Sequence, residues 1–340
     1  LYLIKGSKKR FISNGCTVVK FSIVITTYNR LALLKRAIAS ALEQTIPCEV
    51  IVVDDASTDE TQDYIAALET PTEGFSLSYY RHEDNQGHSQ SVNRGVEVAT
   101  GDWIKLLDDD DYLAPNCIEV ITQALALHPE AVICSCQAAQ VDTKEVELRR
   151  TRSIGPGQAC YIPQEDIHHG MLLEQVPFGT PVQVAFQRQA FLKTGGWDSG
   201  LDANFDDIDS WIKLACHGDA IFINQCLAYR TIWPGGLNQR FSWQERLSTN
   251  IAIKQKIYPC IHDRHRATSP ALGTVEKYLH LHWGLAALKN LQVAAALSML
   301  FPAMADVAAW QLLWRSRQMA KSPQTATAYP VRKQVLIESL

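Results

Sequence analysis

Trp103-Ile104-Lys105-Leu106-Leu107-Asp108-Asp109-Asp110-Asp111-Tyr112 is the stretch that decides the fold. An apolar run of five residues ends in four consecutive carboxylates. The run has the length and composition of a strand buried on both faces, which is the pattern of a parallel sheet covered by helices. Adjacent aspartates repel. At an effective dielectric of ~20 each close pair costs on the order of a few kcal/mol before screening. A solvated acidic turn relieves that repulsion with water. A bound divalent cation such as Mg²⁺ relieves it with carboxylate ligation.

Working outward, the same grammar repeats. Phe21 to Thr27 reads as a strand that ends at Tyr28-Asn29-Arg30. Glu49 to Asp54-Asp55 reads as a second strand that ends in carboxylates. Phe75 to Tyr80 and Ala131 to Cys136 complete the set. Between them, apolar spacing predicts helices over Leu31–Gln44, His88–Val98 closed by Gly101, and Pro115–Leu127. Ser57 followed by Glu60 predicts a capping box on a further helix. Strand–helix alternation of this kind predicts an α/β fold with a mainly parallel sheet, whose ligand lies beyond the carboxyl ends of the strands. Thr26-Thr27-Tyr28, Asp54-Asp55 and Asp108 to Asp111 all fall there.

After residue 140 the alternation stops. Val182 to Phe186 reads as a strand, and Gln189 to Lys193 as a short helix stopped by Gly195-Gly196. A second acidic group, Asp206-Asp207-Ile208-Asp209, opens a helix; carboxylates there also suit the helix dipole. Ala220–Ile223 and Cys226–Arg230 read as two short strands, and Trp233-Pro234-Gly235-Gly236 as a loop able to close over a ligand. His168-His169 reads as loop surface.

The chain divides into a basic lead-in (1–20), an α/β domain (21–240, with halves 21–115 and 116–240), a C-terminal helical extension (241–320) and a mobile tail (321–340). No internal repeat is present. Its 340 residues, 46% hydrophobic, can bury a substantial core. A net charge of −4, without a basic stretch interleaved with aromatics, argues against a nucleic-acid partner. Nine scattered cysteines without a CxxC pair read as reduced core residues of a cytoplasmic protein, and no zinc site is expected. Residues 291–314 carry Gln292, Pro302, Asp306 and Gln311, which argues against a spanning helix. Packing on the main domain is expected; a membrane-surface position is the alternative, supported by Trp310, Trp314, Arg315 and Arg317.

These stretches in order resemble glycosyltransferase family 2. They are Ile23 to Arg30, Val52 to Asp59, Asn85-Gln86-Gly87 with Asn93-Arg94-Gly95, Asp108 to Pro115, and Gly195-Gly196-Trp197-Asp198 followed by Asp206 to Asp209. The resemblance covers roughly residues 21–235. It implies a GT-A fold, a nucleotide-sugar donor (a UDP-sugar favoured), a Mg²⁺ or Mn²⁺ cofactor and an inverting reaction. The acceptor would be a glycan or lipid-linked hydroxyl, met in the cytoplasm or at the inner membrane face.

Carried over residue by residue, the resemblance gives nucleotide or donor contacts to Thr26, Tyr28, Asn29, Asp54, Gly87, Asn93, Asp108 and Asp109. The same reading makes Asp110 the metal residue of a DxD site and Asp207 the general base. Asp111 is expected to be a turn or helix-capping residue before Pro115. The chain departs from the family twice. Asp206-Asp207 stands where the family has Glu-Asp, and no His follows Tyr229-Arg230, so Arg230 or Trp233 would contact the diphosphate. Two other readings are a sugar nucleotidyltransferase and a catalytically silent sugar-nucleotide binder. The first needs a glycine-rich triphosphate loop after the first strand, where this chain has Thr26 to Arg30. The retained Asp110 and Asp207 speak against the second.

Overall fold

The computed structural model describes residues 19–68, 73–155, 157–201, 205–233, 241–321 and 334–335. The basic lead-in up to residue 18 and the loop residues 234–240 lie outside these. The first half alternates strand and helix: β1 (Phe21–Thr27), α1 (Leu31–Leu42), β2 (Glu49–Asp54), α2 (Thr61–Ala66), β3 (Ser76–Arg81), α3 (His88–Val98) and β4 (Trp103–Asp108). The second half holds β5 (Tyr112–Leu113), α4 (Cys117–Leu127), β6 (Ala131–Val141), β7 (Glu147–Arg150), β8 (Ala159–Ile162) and α5 (Gln164–Leu172). It continues with β9 (Val184–Gln187), α6 (Arg188–Lys193), α7 (Asp206–Leu214) and β10 (Asp219–Thr231). Helices Trp243–Ile257, Leu272–Lys289, Val293–Leu300 and Val307–Lys321 follow, and β11 (Gln334–Val335) closes the series.

One mixed sheet runs β11-β8-β10-β6-β9-β4-β1-β2-β3. Its longest ladders, β1 on β2 and β4, β2 on β3, and β6 on β10, are parallel. β9 is wedged antiparallel between β4 and β6 and joins the two halves. Helices cover both faces. One core cluster packs α1 and α4 on the sheet, and another packs α3, α5 and α7 on the opposite face. Helix α3 lies so close to the sheet that a Cβ at Gly95 would meet Val24 Cγ1 at 2.3 Å. Lys105 is fully buried in β4, and its ammonium donates to the carbonyls of Val182 and, at 3.3 Å, Val184.

Four expectations need correction. Ser57 does not cap α2; its hydroxyl accepts from the Asn29 N–H, and Asp59 accepts from Thr61 at the helix start instead. Gly101 does not end α3, which stops at Val98; it runs against β1, where a Cβ would meet Ser22 N at 2.6 Å. The two short strands near residue 220 are one, because register shifts between Ile223 and Cys226 absorb Asn224-Gln225. The pair His168-His169 lies on α5, where buried His168 Nε2 donates to the Ile212 carbonyl at 3.0 Å. Beyond residue 321, the described residues Gln334–Val335 pair with the edge strand β8, whose backbone groups offer a partner. The cysteine expectation holds for Cys48, Cys117, Cys134, Cys136 and Cys160, which are buried, but not for Cys216, which is exposed.

Candidate active site

The carboxyl ends of β1 and β4 lie side by side, with Thr26 opposite Asp108. The four aspartates that follow are therefore fixed by the sheet, and each has a different neighbourhood. Asp109 turns inward; Oδ2 accepts from Thr27 Oγ1 at 2.8 Å and Oδ1 from Arg30 at 3.3 Å. Burial pushes its carboxyl up to about 6, with Arg30 and the Thr27 bond opposing. Asp111 is buried and accepts from the Thr231 N–H of β10 at 2.8 Å, so it fastens this turn to β10 rather than capping α4. Arg36 reinforces that junction by donating to the Asp110 carbonyl and to Thr231 Oγ1, both at 2.6 Å.

Asp108 and Asp110 face the crevice. Asp110 Oδ2 is 3.2 Å from Arg30 Nη1. Burial and the negative neighbour Asp108 raise the Asp110 carboxyl above its ordinary range; burial with Asp110 and Asp108 raises Asp111 well above it. Asp108, Asp110 and Asp111 each offer an oxygen, and these atoms lie within 4.8 Å of one another. Three crowded carboxylates, two of them resisting ionisation, are a donor set suited to a hard divalent cation.

His88, which carried no assigned role in the sequence, joins this group to the second acidic cluster. It opens α3 after Gly87, whose φ of 91° turns the chain into the helix. Its Nε2 lies 3.2 Å from Asp108 Oδ1 and 3.1 Å from Thr26 Oγ1, and its Nδ1 lies 3.9 Å from Asp206 Oδ2. Burial alone would lower its basicity, but the carboxylates of Asp108 and Asp206 outweigh it and hold the ring well above its ordinary pKa. Asp206 is buried, accepts from Ser89 Oγ at 3.1 Å, and receives the Asp207 N–H at 3.0 Å. Asp207, half-buried, accepts from the Ile208 N–H at 2.7 Å. Burial and the charges of Asp206 and Asp108 push its carboxyl up to about 7.

The remaining candidates divide by what their polar atoms already do. Tyr28 is 46% exposed at the crevice rim. Arg230 lies on β10 near enough to lower Asp108 electrostatically, and Trp233 is half-buried just beyond. Asp54, expected among the nucleotide contacts, has both carboxylate oxygens engaged within the fold. It is fully buried, with Oδ1 accepting from the Ser57 N–H at 2.8 Å and Oδ2 from Tyr79 OH at 2.5 Å. Asp55 holds the loop before α3 through His82 and the Gln86 and Gly87 N–H groups. Asn29 Oδ1 accepts from the Thr58 N–H at 2.7 Å. Asn93 brackets Trp197 with two hydrogen bonds, which braces the loop before α7.

A separate cavity of about 700 Å³ opens between the β6–β8 region and the C-terminal helices. Gln140, Arg149, Arg152, Tyr278, Lys289 and Arg317 are among its lining residues. Gln140 pairs with Arg230 in the β6–β10 ladder, so the cavity begins one strand away from the aspartate cluster.

Comparison with known proteins agrees with this architecture. The sequence profile of Glycosyl transferase family 2 matches residues 22–195, just over half of the chain. An uncharacterized glycosyltransferase of Haemophilus influenzae is 30% identical over 194 residues, which are 57% of this chain and 61% of that protein. A Campylobacter jejuni protein named GalNAc(5)-diNAcBac-PP-undecaprenol beta-1,3-glucosyltransferase is 32% identical over 106 residues, or 31% of this chain and 34% of that one. The chain thus spans about three fifths of the first relative and a third of the second. Among solved structures, S. aureus TarS 1-349 in complex with UDP-GlcNAc superposes with a TM-score of 0.56 at 16% identity, over 90% of this chain and 92% of that one. The Pyrobaculum calidifontis mannosyltransferase PcManGT, in complex with GDP-Man and Mn²⁺, gives 0.56 at 20% identity, over 93% and 83%. With the ordered motifs, the mixed sheet and the matched profile together, the chain belongs to glycosyltransferase family 2 and has the GT-A fold.

Proposed function

We propose that this glycosyltransferase is inverting and metal-dependent, and moves a sugar from a UDP-sugar to a hydroxyl of a glycan or lipid-linked acceptor at the cytoplasmic membrane face. The observation that carries this reading is the pairing of two acidic groups across His88. Asp108, Asp110 and Asp111 crowd one side, and Asp206-Asp207 stands on the other. Asp110, with Asp108 and Asp111, would hold Mg²⁺ or Mn²⁺. Such an ion, when bound, offsets the charge of the departing diphosphate. Arg230 and Trp233 face the same phosphates, and the exposed ring of Tyr28 takes the nucleotide base. Asp54, Asn29, Asn93 and Gly87 shape the pocket through the bonds given above.

Asp207 takes the proton of the acceptor hydroxyl as its oxygen attacks the anomeric carbon. The bond to the diphosphate oxygen breaks, and the nucleoside diphosphate leaves with the electron pair. A carboxyl raised to about 7 is matched to that task near neutral pH. The cavity bearing Arg149, Arg152, Lys289 and Arg317 suits an acceptor with an anionic portion. The test is transfer from UDP-sugars to a panel of glycans and lipid-linked sugars, with the product anomer read by NMR. Product of inverted configuration, lost in the Asp207→Asn variant, is expected. Product of retained configuration would overturn the mechanism.

A further inference from the structure

The helices after residue 290 turn an apolar stripe away from the protein. Their inner sides are in use: Ala296, Met299, Ala303, Ala309 and Leu313 pack with Tyr278, Leu279 and Leu281 in a third core cluster. Their outer sides carry Val293, Leu297, Phe301, Met304, Val307, Trp310 and Trp314, all exposed. Within each helix these residues lie three or four positions apart, the step that keeps side chains on one helical face: Val293 and Leu297 on the first helix, Val307, Trp310 and Trp314 on the second. Phe301 and Met304 lie at the turn that joins the two. Phe301 is 81% exposed, and Leu291, at its start, 86%. Single exposed apolar residues are ordinary, but a contiguous stripe marks a contact surface.

Charge tells what it contacts. From Leu288 to Gln318 the chain carries Lys289, Arg315 and Arg317 against one acid, Asp306, and that carboxylate is taken by Lys277 Nζ at 2.9 Å. This margin is cationic in a chain whose net charge is −4. Apolar residues including Trp, edged by Arg and Lys, form the composition of a helix lying in the interface of an anionic bilayer. Among the described residues no single helix is long and apolar enough to cross a membrane. The two helices bend by 118° and keep their inner faces in the core.

We propose that this stripe docks the protein flat on an anionic lipid bilayer. The inference deepens the acceptor reading above and rests on it: Lys289 and Arg317 also line the acceptor cavity, so a docked chain presents that cavity beside the lipid headgroups.

The experiment is flotation of the full chain with phosphatidylcholine vesicles, with and without phosphatidylglycerol. Donor-induced thermal shift is measured on the same samples. Wild type is expected to float with anionic vesicles. The Leu291→Ser/Phe301→Ser variant should lose about tenfold or more in partitioning. The Arg315→Gln variant should weaken the preference for anionic over neutral lipid. Both should keep the wild-type thermal shift, which reports folding and donor binding independently. Failure to float, or flotation unchanged in both variants, overturns the proposal even when the donor shift persists. Self-association that Phe301→Ser abolishes, without lipid binding, overturns it in favour of a second copy of the chain.

Discussion

Replacing Asp207 by Asn should make the protein more stable and nearly inactive, and the size of both effects follows from its surroundings. The carboxyl is raised from 3.8 to about 7 by burial and by Asp206 and Asp108. Each unit is worth about 1.4 kcal/mol, so ionising Asp207 in the folded state costs at most ~4 kcal/mol. The side chain is half-buried, and solvent screening reduces this to ~1–2 kcal/mol. The sign is fixed by linkage. Between pH 3.8 and about 7 the folded chain keeps a proton that the unfolded chain has lost, so stability falls as pH rises through that window and levels off above it. Asn cannot ionise and escapes the penalty. Urea unfolding in EDTA should therefore show Asp207→Asn gaining ~1–2 kcal/mol at pH 8.5, and less at pH 5.5. Loss of a general base should lower transfer by roughly 10²–10⁴-fold, while the wild-type rate climbs with pH through about 7. A variant with full activity would refute the base assignment. Equal stability of both proteins at every pH would refute the raised carboxyl.

Other expectations can be checked separately. Asp110→Asn should abolish any Mn²⁺-dependent gain in melting temperature on adding UDP, whereas the wild type should lose it only with EDTA; calorimetry or dye-based melting reads both. His88→Ala leaves Asp108 and Asp206 without their shared cation, and transfer should fall by about tenfold or more with the fold intact by circular dichroism. Lys105→Ala strands the carbonyls of Val182 and Val184 beside a cavity, and should cost ~2–4 kcal/mol by urea unfolding. Gly95→Ala presses on Val24, and should cost ~1–3 kcal/mol in the same assay.

The parts of the fold legible in the sequence are those where one local rule decides. Continuous apolar runs marked β1, β2 and β4, because a strand covered on both faces has no polar side to break its pattern. The acidic clusters were visible because carboxylates at strand and helix ends are rarely neutral in their consequences. What stayed hidden depends on partners distant in sequence. Asp54 reads the same whether its carboxylate faces a ligand or turns inward to Tyr79, 25 residues on. Ser57 has the form of a cap, but its hydroxyl is claimed by Asn29 across the sheet edge. Lys105 is a charged residue in the middle of a core strand, and only β9, some 80 residues away, explains it. His88 belongs to no spacing pattern. Its one signal is that it follows Gly87 at the start of a helix whose N-terminus faces the crevice. Asn224-Gln225 interrupts the apolar pattern of β10, which is one strand all the same, because a bulge has no hydrophobic signature.

The central claim is that the aspartate cluster binds a nucleotide sugar through a divalent ion. The most direct measurement is a thermal-shift screen of UDP-, GDP-, CDP- and dTDP-sugars, each with Mn²⁺ and with EDTA. A ligand at a hundredfold excess over its Kd stabilises the folded state by about 2.7 kcal/mol, enough to resolve one nucleotide from another. The account predicts a rise in melting temperature with UDP-sugars and Mn²⁺ that EDTA removes. The same rise in EDTA, or no rise with any nucleotide sugar, would contradict it.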